Sequence, residues 1–238
     1  MNNSATFSYK KWDSDFFNKA IYDLPVEQVG ELLSDDFTGM QEAIIQIKIP
    51  ADQFALLDKV QSLGFKFVES EVDFSKKIVE TRSVPGMINM AALEEIPAIM
   101  DLAVQAFSYS RFRAPWFQPD DSARFYAQWA KNAVLKIHDD ICLKIANKQD
   151  DEMTGFVTGK RLEETVIRIG LICVAPRYRG QKMGLQLLQA IEQWSLEQGA
   201  DTIRVATQGS NLAACAFYIS NGYTINAVNY WFYRGAPG

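Results

Sequence analysis

Histidine is almost missing from the 238 residues: there is one, His138, inside the polar run KIHDD. Cysteine is scarce too, with Cys142, Cys173 and Cys215 far apart in apolar segments. No His/Cys/Asp/Glu grouping has metal-ligand spacing, so no metal is expected, and the thiols read as reduced core residues. Neither a GxSxG elbow nor a Cys/His signature is present, which argues against a covalent acyl-enzyme. Positive charge is in deficit: 24 Lys and Arg stand against 29 Asp and Glu, a formal net charge of −5. That balance argues against a nucleic-acid partner and leaves small anions to local clusters. No apolar run nears the roughly 18 residues of a membrane span, and MNNSATFSYKKWDSDFF at the start lacks a signal-peptide core. The expectation is a cytoplasmic protein with no membrane span. Repeats, heptads and low-complexity tracts are absent, which excludes arrays and coiled coils.

What is present is ordinary globular chemistry, 48% hydrophobic, enough for one large domain or two small ones. Residues 1–80 read as a smaller α/β unit. AIIQIKI at 43–49 alternates like a half-buried strand, 52–63 carries Phe54, Leu57, Val60 and Leu63 at helical spacing, and 65–74 is another strand. TRSVPG at 81–86 has the turn chemistry of a linker. Residues 87–238 form a second α/β pattern. Helices are expected at 94–107 and 121–131, strands at 141–146 and 155–161 around a polar hairpin at 146–153, then the central stretch described next. A strand at 202–207, a helix at 211–221 and a strand at 227–233 close the chain.

The central stretch is TVIRIGLICVAPRYRGQKMGLQLL, residues 165–188, a β-branched run, a basic turn and an amphipathic helix. A helix start leaves backbone N–H groups unpaired and carries partial positive charge, so with Arg177, Arg179 and Lys182 this turn is an anion site. Gly180 and Gly184 let a phosphate approach the backbone. The glycine spacing excludes a P-loop and a GxGxxG dinucleotide fingerprint.

The stretch resembles the acetyl-CoA motif of the GNAT superfamily of N-acyltransferases, Arg/Gln-x-x-Gly-x-Gly/Ala after a strand ending in Val-x-Pro. Arg179 and Gly184 fit its ends, and Lys182 stands where the middle glycine is usual. TQGSNLAACAFYISNGY, residues 207–223, resembles the closing motif of that family, with Asn211, Ala214, Tyr218, Gly222 and Tyr223 in place. The resemblance implies an α/β (α+β) GNAT fold, a mixed, mostly antiparallel splayed sheet preceded by a smaller partial domain. It implies acetyl-CoA as co-substrate, bound by Ile172, Val174, Arg179, Gly180, Gln181, Lys182, Met183, Gly184 and Asn211. The Val174 N–H would receive charge developing on the thioester oxygen. Tyr218 would point at the sulfur, and a phenol of pKa about 10 can protonate a thiolate whose thiol titrates at about 8.5. The alternative is that Asn211 is only an N-cap and Tyr218 a core aromatic.

SRFRAPWFQPDDSARFYAQW, residues 110–129, packs arginines, aromatics and prolines before a helix. Arg111, Arg113 and Arg124 suit a diphosphate, and Trp116 and Phe117 suit stacking on a base. The alternative is an aromatic cover over the core with solvated arginines. Together with WDSDFF at 12–17, GFKFVESEVD at 64–73 and RVATQ at 204–208, this segment resembles the GNAT enzymes that acetylate dTDP-4-amino-4,6-dideoxyhexoses for bacterial cell-envelope polysaccharides such as enterobacterial common antigen. That likeness implies direct attack by the 4-amino group of a nucleotide sugar on acetyl-CoA, a base at Glu69 with Glu71 on the same strand face as the other choice, and a homodimer. His138 matches no functional position of the family. An acetyltransferase for another amine, a peptide N-terminus or a polyamine, and a non-catalytic CoA-binding module remain the alternatives.

Overall fold

The alternating stretches become strands of a single sheet that runs through both parts of the chain. The computed structural model describes residues 7–79, 88–107, 110–147 and 152–235; the expected linker at 81–86 and the tip of the expected hairpin lie outside the described residues. The first part supplies β1 (Ser8–Tyr9), α1 (Lys11–Phe17), β2 (Ile21–Asp23), β3 (Ile44–Pro50), α2 (Phe54–Ser62) and β4 (Lys66–Lys77). The second supplies β5 (Ile88–Met90), α3 (Ile96–Ala106), α4 (Asp121–Val134), β6 (Ile141–Ala146), β7 (Met153–Glu163), β8 (Val166–Val174), α5 (Met183–Glu197), β9 (Thr202–Gln208), α6 (Leu212–Ser220) and β10 (Thr224–Arg234). The strands lie in the order β1-β2-β3-β10-β4-β9-β8-β7-β6-β5. Of the described pairs, only β2/β3 and β8/β9 are parallel. The last strand, β10, is hydrogen-bonded between β3 and β4, and β4 pairs in turn with β9. The division at about residue 80 therefore divides the chain, while the sheet crosses it.

Alternation along the strands builds a core on each face. On one, Val157, Ile169, Ile203 and Val205 meet the α5 stripe of Leu187, Leu188 and Ile191. On the other, Cys142, Phe156, Leu171 and Cys173 pack against Ile99 and Ala103 of α3 and Tyr126 and Ala130 of α4. Toward the N-terminal edge, Ile45, Ile47 and Ile49 bury against Leu57 and Val60 of α2. Full burial of each such aliphatic side chain contributes about 1.5–3 kcal/mol.

One irregularity positions the site. β8 and β9 stay paired only from Val166↔Thr202 to Ile169↔Val205, after which they diverge. At that point the register of β8 against β7 shifts, so that Gly170 and Leu171 together face Thr158. An extra residue of this kind bends its strand and increases the local twist. The Leu171 N–H donates to Thr158 Oγ1 at 2.9 Å instead of to a ladder carbonyl.

Candidate active site

The gap between β8 and β9 opens into a cavity of about 910 Å³. Ladder parity fixes what β8 presents to it. The N–H groups of Leu171 and Ala175 donate toward β7, to Thr158 Oγ1 and Thr154 O. Successive N–H groups along a strand alternate in direction, so those of Ile172 and Val174 point to the side that β9 has left. The Val174 carbonyl faces the same way and accepts from Arg179 Nε at 3.3 Å. A broken ladder thus leaves two donors aimed into the gap, where a carbonyl oxygen or an amide chain can take them.

Beyond β8 the chain makes a single turn of tight helix at Pro176–Tyr178 and then enters α5. Gly180 and Lys182 both have positive φ, +75° and +62°. Arg179, Gly180, Lys182, Met183 and Gly184 line the cavity at this helix start. No protein atom stands nearer than 3.6 Å to a Cβ placed on Gly184, so its own packing does not demand a glycine there. The turn fits the pantetheine and diphosphate of acetyl-CoA: unpaired amides lie along β8, cations flank a helix N-terminus, and its first turn carries no side chain at Gly184. Gln181 is the exception, exposed and donating to the Arg177 carbonyl at 3.3 Å, and it does not border the cavity.

Asn211 and Tyr218 border it from α6. Asn211 caps the helix, Oδ1 accepting from the Ala214 N–H at 3.2 Å and Nδ2 donating to Thr207 Oγ1 at 3.3 Å. The Tyr218 ring is 3% exposed and packs on Phe74, Phe217 and Tyr223. Its hydroxyl has no hydrogen-bond partner among the described residues, and burial pushes its pKa well above the ordinary phenol value. It is a neutral donor at any physiological pH.

Across the cavity, β4 brings Glu69 and Glu71. They are not equivalent. Glu71 Oε1 accepts from Lys48 Nζ at 2.9 Å and Oε2 from Trp231 Nε1 at 3.1 Å. Burial pushes its carboxyl up, but the Lys48 charge and these two hydrogen bonds outweigh it and hold the group below the usual carboxylate range. Among the described residues Glu69 Oε1 accepts only from the N–H of its neighbour Ser70 at 2.8 Å, and Oε2 only from Ser210 Oγ at 3.4 Å.

The residues expected to hold the acceptor separate sharply. Arg111 lines the cavity, clamped by hydrogen bonds from Nη1 to Gln46 Oε1 and the Tyr233 hydroxyl with its guanidinium 4.1 Å from the Trp231 ring. Arg113 is spent on the carbonyls of Val68 and Ala114 and borders a smaller adjoining hollow instead. Arg124 pairs with Asp121 at 2.8 Å and lies over Phe16. Trp116 and Phe117, each 4% exposed, are packed with Phe17, Val68 and Tyr233. Burying large aromatic area keeps Trp116 and Phe117 in the core. Of the five candidates Arg111 is the one that lines the cavity, the same segment adds Phe112, Phe125, Tyr126 and Trp129 to its wall, and Arg113 and Phe112 border the smaller hollow together with Glu69. The cavity residues that sequence reasoning did not single out include Lys48, Phe112, Phe125, Tyr126, Arg168 and Trp231. Arg168 had a signal, as the one charge inside the apolar run TVIRIGLIC. Among the described residues no group of His, Cys, Asp and Glu is placed to hold a metal ion, and no helix is long and apolar enough to cross a membrane.

A sheet splayed over a donor-lined gap, with a basic helix start on one side and a buried phenol opposite, is the arrangement of an acetyl-CoA-dependent acyl transferase. The model of the acetyltransferase (GNAT) family matches residues 96–223, and the chain belongs to that family. It is an acetyltransferase, and the family uses acetyl-CoA. Over 94% of its length the chain is 38% identical to a dTDP-fucosamine acetyltransferase of Escherichia coli O6:H1, covering 95% of that protein. Among solved structures it is similar to a GCN5-related N-acetyltransferase from Sphaerobacter thermophilus, with a TM-score of 0.61, 14% identity and 82% of this chain covered. The match spans only 62% of that longer protein. A GCN5-related N-acetyltransferase from Kribbella flavida aligns at a TM-score of 0.58 with 14% identity, covering 91% of this chain and 81% of that one. These structural likenesses establish the GNAT fold.

Proposed function

We propose that the protein transfers the acetyl group of acetyl-CoA to the 4-amino group of a dTDP-4-amino-4,6-dideoxyhexose of the fucosamine type. The observation that carries the chemistry is that Ile172 and Val174 of β8, Tyr218 and Glu69 all line one cavity. The acceptor rests on the 38% identity, over nearly the whole of both chains, to an enzyme named for that sugar.

Bound acetyl-CoA supplies an activated acetyl thioester. Glu69, the carboxylate with a loosely held oxygen, takes the proton that the sugar ammonium must lose, directly or through one water. The Val174 N–H donates to the thioester oxygen as negative charge grows there. Tyr218 donates its proton to the departing sulfur. Asn211, Arg179 and the Gly180–Gly184 turn hold the coenzyme, and Arg111 and Trp231 face the acceptor. Cytoplasmic residence, where both substrates would be drawn, and a homodimer belong to the same proposal.

The test is thiol release from acetyl-CoA with dTDP-4-amino-4,6-dideoxyhexoses, the same sugars on UDP, spermidine and a short peptide. Release confined to the dTDP-4-amino sugar supports the proposal. Release on spermidine or peptide with none on the sugar nucleotides refutes the acceptor, and light scattering reads the dimer.

A further inference from the structure

The acceptor side of the cavity leads onto a part of the sheet that α3 and α4, which pack on β6, β7 and β8, leave uncovered around β8, β9 and β4. There the ladder aligns three cations. Lys160 of β7 is directly opposite Arg168 of β8, and Arg168 is directly opposite Arg204 of β9. Cross-strand partners share a face, and Ile167, Ile169, Ile203 and Val205 between them are buried on the other. All three cations are exposed.

Adjacent strands lie about 4.8 Å apart, and like charges directly opposite one another destabilise a sheet. Internal compensation is thin. Arg204 meets Glu163 at 3.4 Å with both side chains largely exposed, an arrangement of little strength. Arg168 and Lys160 have no ion pair within 4 Å among the described residues. Glu71 and Asp73 lie within electrostatic reach of Arg168, and Asp139 within reach of Lys160, but none forms a close ion pair with them: Glu71 is paired with Lys48 and Asp73 accepts from the Asn229 side chain at 2.8 Å. Arg168 is also a wall of the cavity that holds Glu69 and Tyr218. Two guanidinium forks side by side match the oxygens of a diphosphate, and an anion between them turns mutual repulsion into shared attraction.

We infer that Arg168 and Arg204 grip the diphosphate of the nucleotide-linked acceptor, with Lys160 adding attraction at the flank. The inference rests on the nucleotide-sugar reading and replaces the basic loop at 110–129 as the diphosphate site.

Calorimetric titration of the full chain with thymidine, dTMP and dTDP tests it, with acetyl-CoA as the control for intact folding. The wild type should bind dTDP at least about tenfold more tightly than thymidine, by a ratio that shrinks as salt rises. In R168Q and in R204Q that ratio should fall toward one while thymidine and acetyl-CoA affinities hold. R168K, which keeps the charge without the fork, should retain part of it. Loss of acetyl-CoA binding identifies a variant that has merely disturbed the sheet, and the remaining variants with the wild-type salt series then decide. A dTDP preference that survives both glutamine substitutions places the diphosphate elsewhere and overturns this inference alone. A wild type that acetylates some amine but has no affinity for dTDP overturns the nucleotide-sugar reading and this inference with it.

Discussion

A Cβ on Gly170 would stand 3.0 Å from both carboxylate oxygens of Asp139. The carboxyl is 3% exposed, accepts the Trp129 indole N–H at 2.8 Å and is hydrogen-bonded by Thr158, whose Oγ1 in turn takes the Leu171 N–H. This chain of contacts ties α4 to the bulge that turns β8 from β9. Gly170→Ala overpacks it, at a cost of about 1–3 kcal/mol. The thermal midpoint should fall by roughly 5 °C. Because the bulge also aims the Val174 amide, kcat should drop by about tenfold or more. Asp139→Asn turns an NH₂ group toward one of two donors and should cost about 1–3 kcal/mol. Calorimetry and steady-state kinetics read both, and an unaltered kcat in G170A would separate the bulge from catalysis.

Tyr218 gives a prediction about alkaline pH. Burial raises its pKa, so the neutral, donating form persists above the ordinary phenol value of about 10. The kcat profile should show no descending limb assignable to a phenol below about pH 10. Tyr218→Phe should lower kcat by about a hundredfold and leave the KM for acetyl-CoA unchanged, and equal activity would remove the proton-donor role. Burial raises the pKa values of Tyr126, Tyr223 and Tyr233 as well. Groups that hold their protons more tightly when folded stabilise the fold fully below the unfolded pKa and lose that contribution as pH rises past it. Thermal midpoints should therefore decline above about pH 10.

How far the sequence could be read follows from the range of the forces involved. The isoleucine run of β3 and the α5 stripe announce themselves because a regular element must bury its apolar side chains, although β3 is buried on both faces and is not the half-buried strand its alternation suggests. The elements β1, β2 and α1 are too short to carry a period. The insertion of β10 between β3 and β4 is a long-range pairing with no local signature. The bulge at Gly170 reads as plain strand until its partner is known. Asn211 shows the N-cap reading in the structure, and its place on the cavity wall leaves the coenzyme role to the proposal above. The loop at 110–129 is divided, for Arg111, Phe112 and Phe125 line the cavity. Its composition suits a ligand, but composition does not say which way a ring faces, and Trp116 and Phe117 face the core.

The inequality of Glu69 and Glu71 separates their variants. Glu69→Gln removes the proposed base with little stake in the fold, so kcat should fall at constant thermal midpoint. The loss should be greatest at low pH, where the amine depends most on help in losing its proton. Glu71→Gln leaves Lys48 without its counter-charge and should lower the midpoint, most clearly above pH 5, with a smaller effect on rate. The sign follows from the depressed pKa: the contribution is present above the unfolded carboxyl value of about 4.3 and is lost as pH falls through the folded one. A pH–rate profile of E69Q parallel to the wild type would exclude Glu69 from the mechanism.

Lys182 stands where the family motif has a glycine, and its φ of +62° explains the motif: the backbone is left-handed at the entrance to α5. A side chain in that conformation costs about 1–2 kcal/mol that glycine avoids. The lysine keeps the conformation and adds a cation to the cavity wall at a helix start that already favours anions. Lys182→Gly should therefore raise the thermal midpoint by about 2–4 °C while weakening acetyl-CoA binding, by a factor that shrinks as salt is added. Lys182→Ala separates the two effects, since it removes the charge but keeps the strain, and should weaken binding with no gain in stability. Calorimetric titration of acetyl-CoA into the three proteins at low and high salt, with melting curves alongside, reads both quantities. If K182G binds acetyl-CoA as tightly as the wild type at low salt, the lysine only occupies a glycine's place and the diphosphate is held by the backbone of the turn and by Arg179.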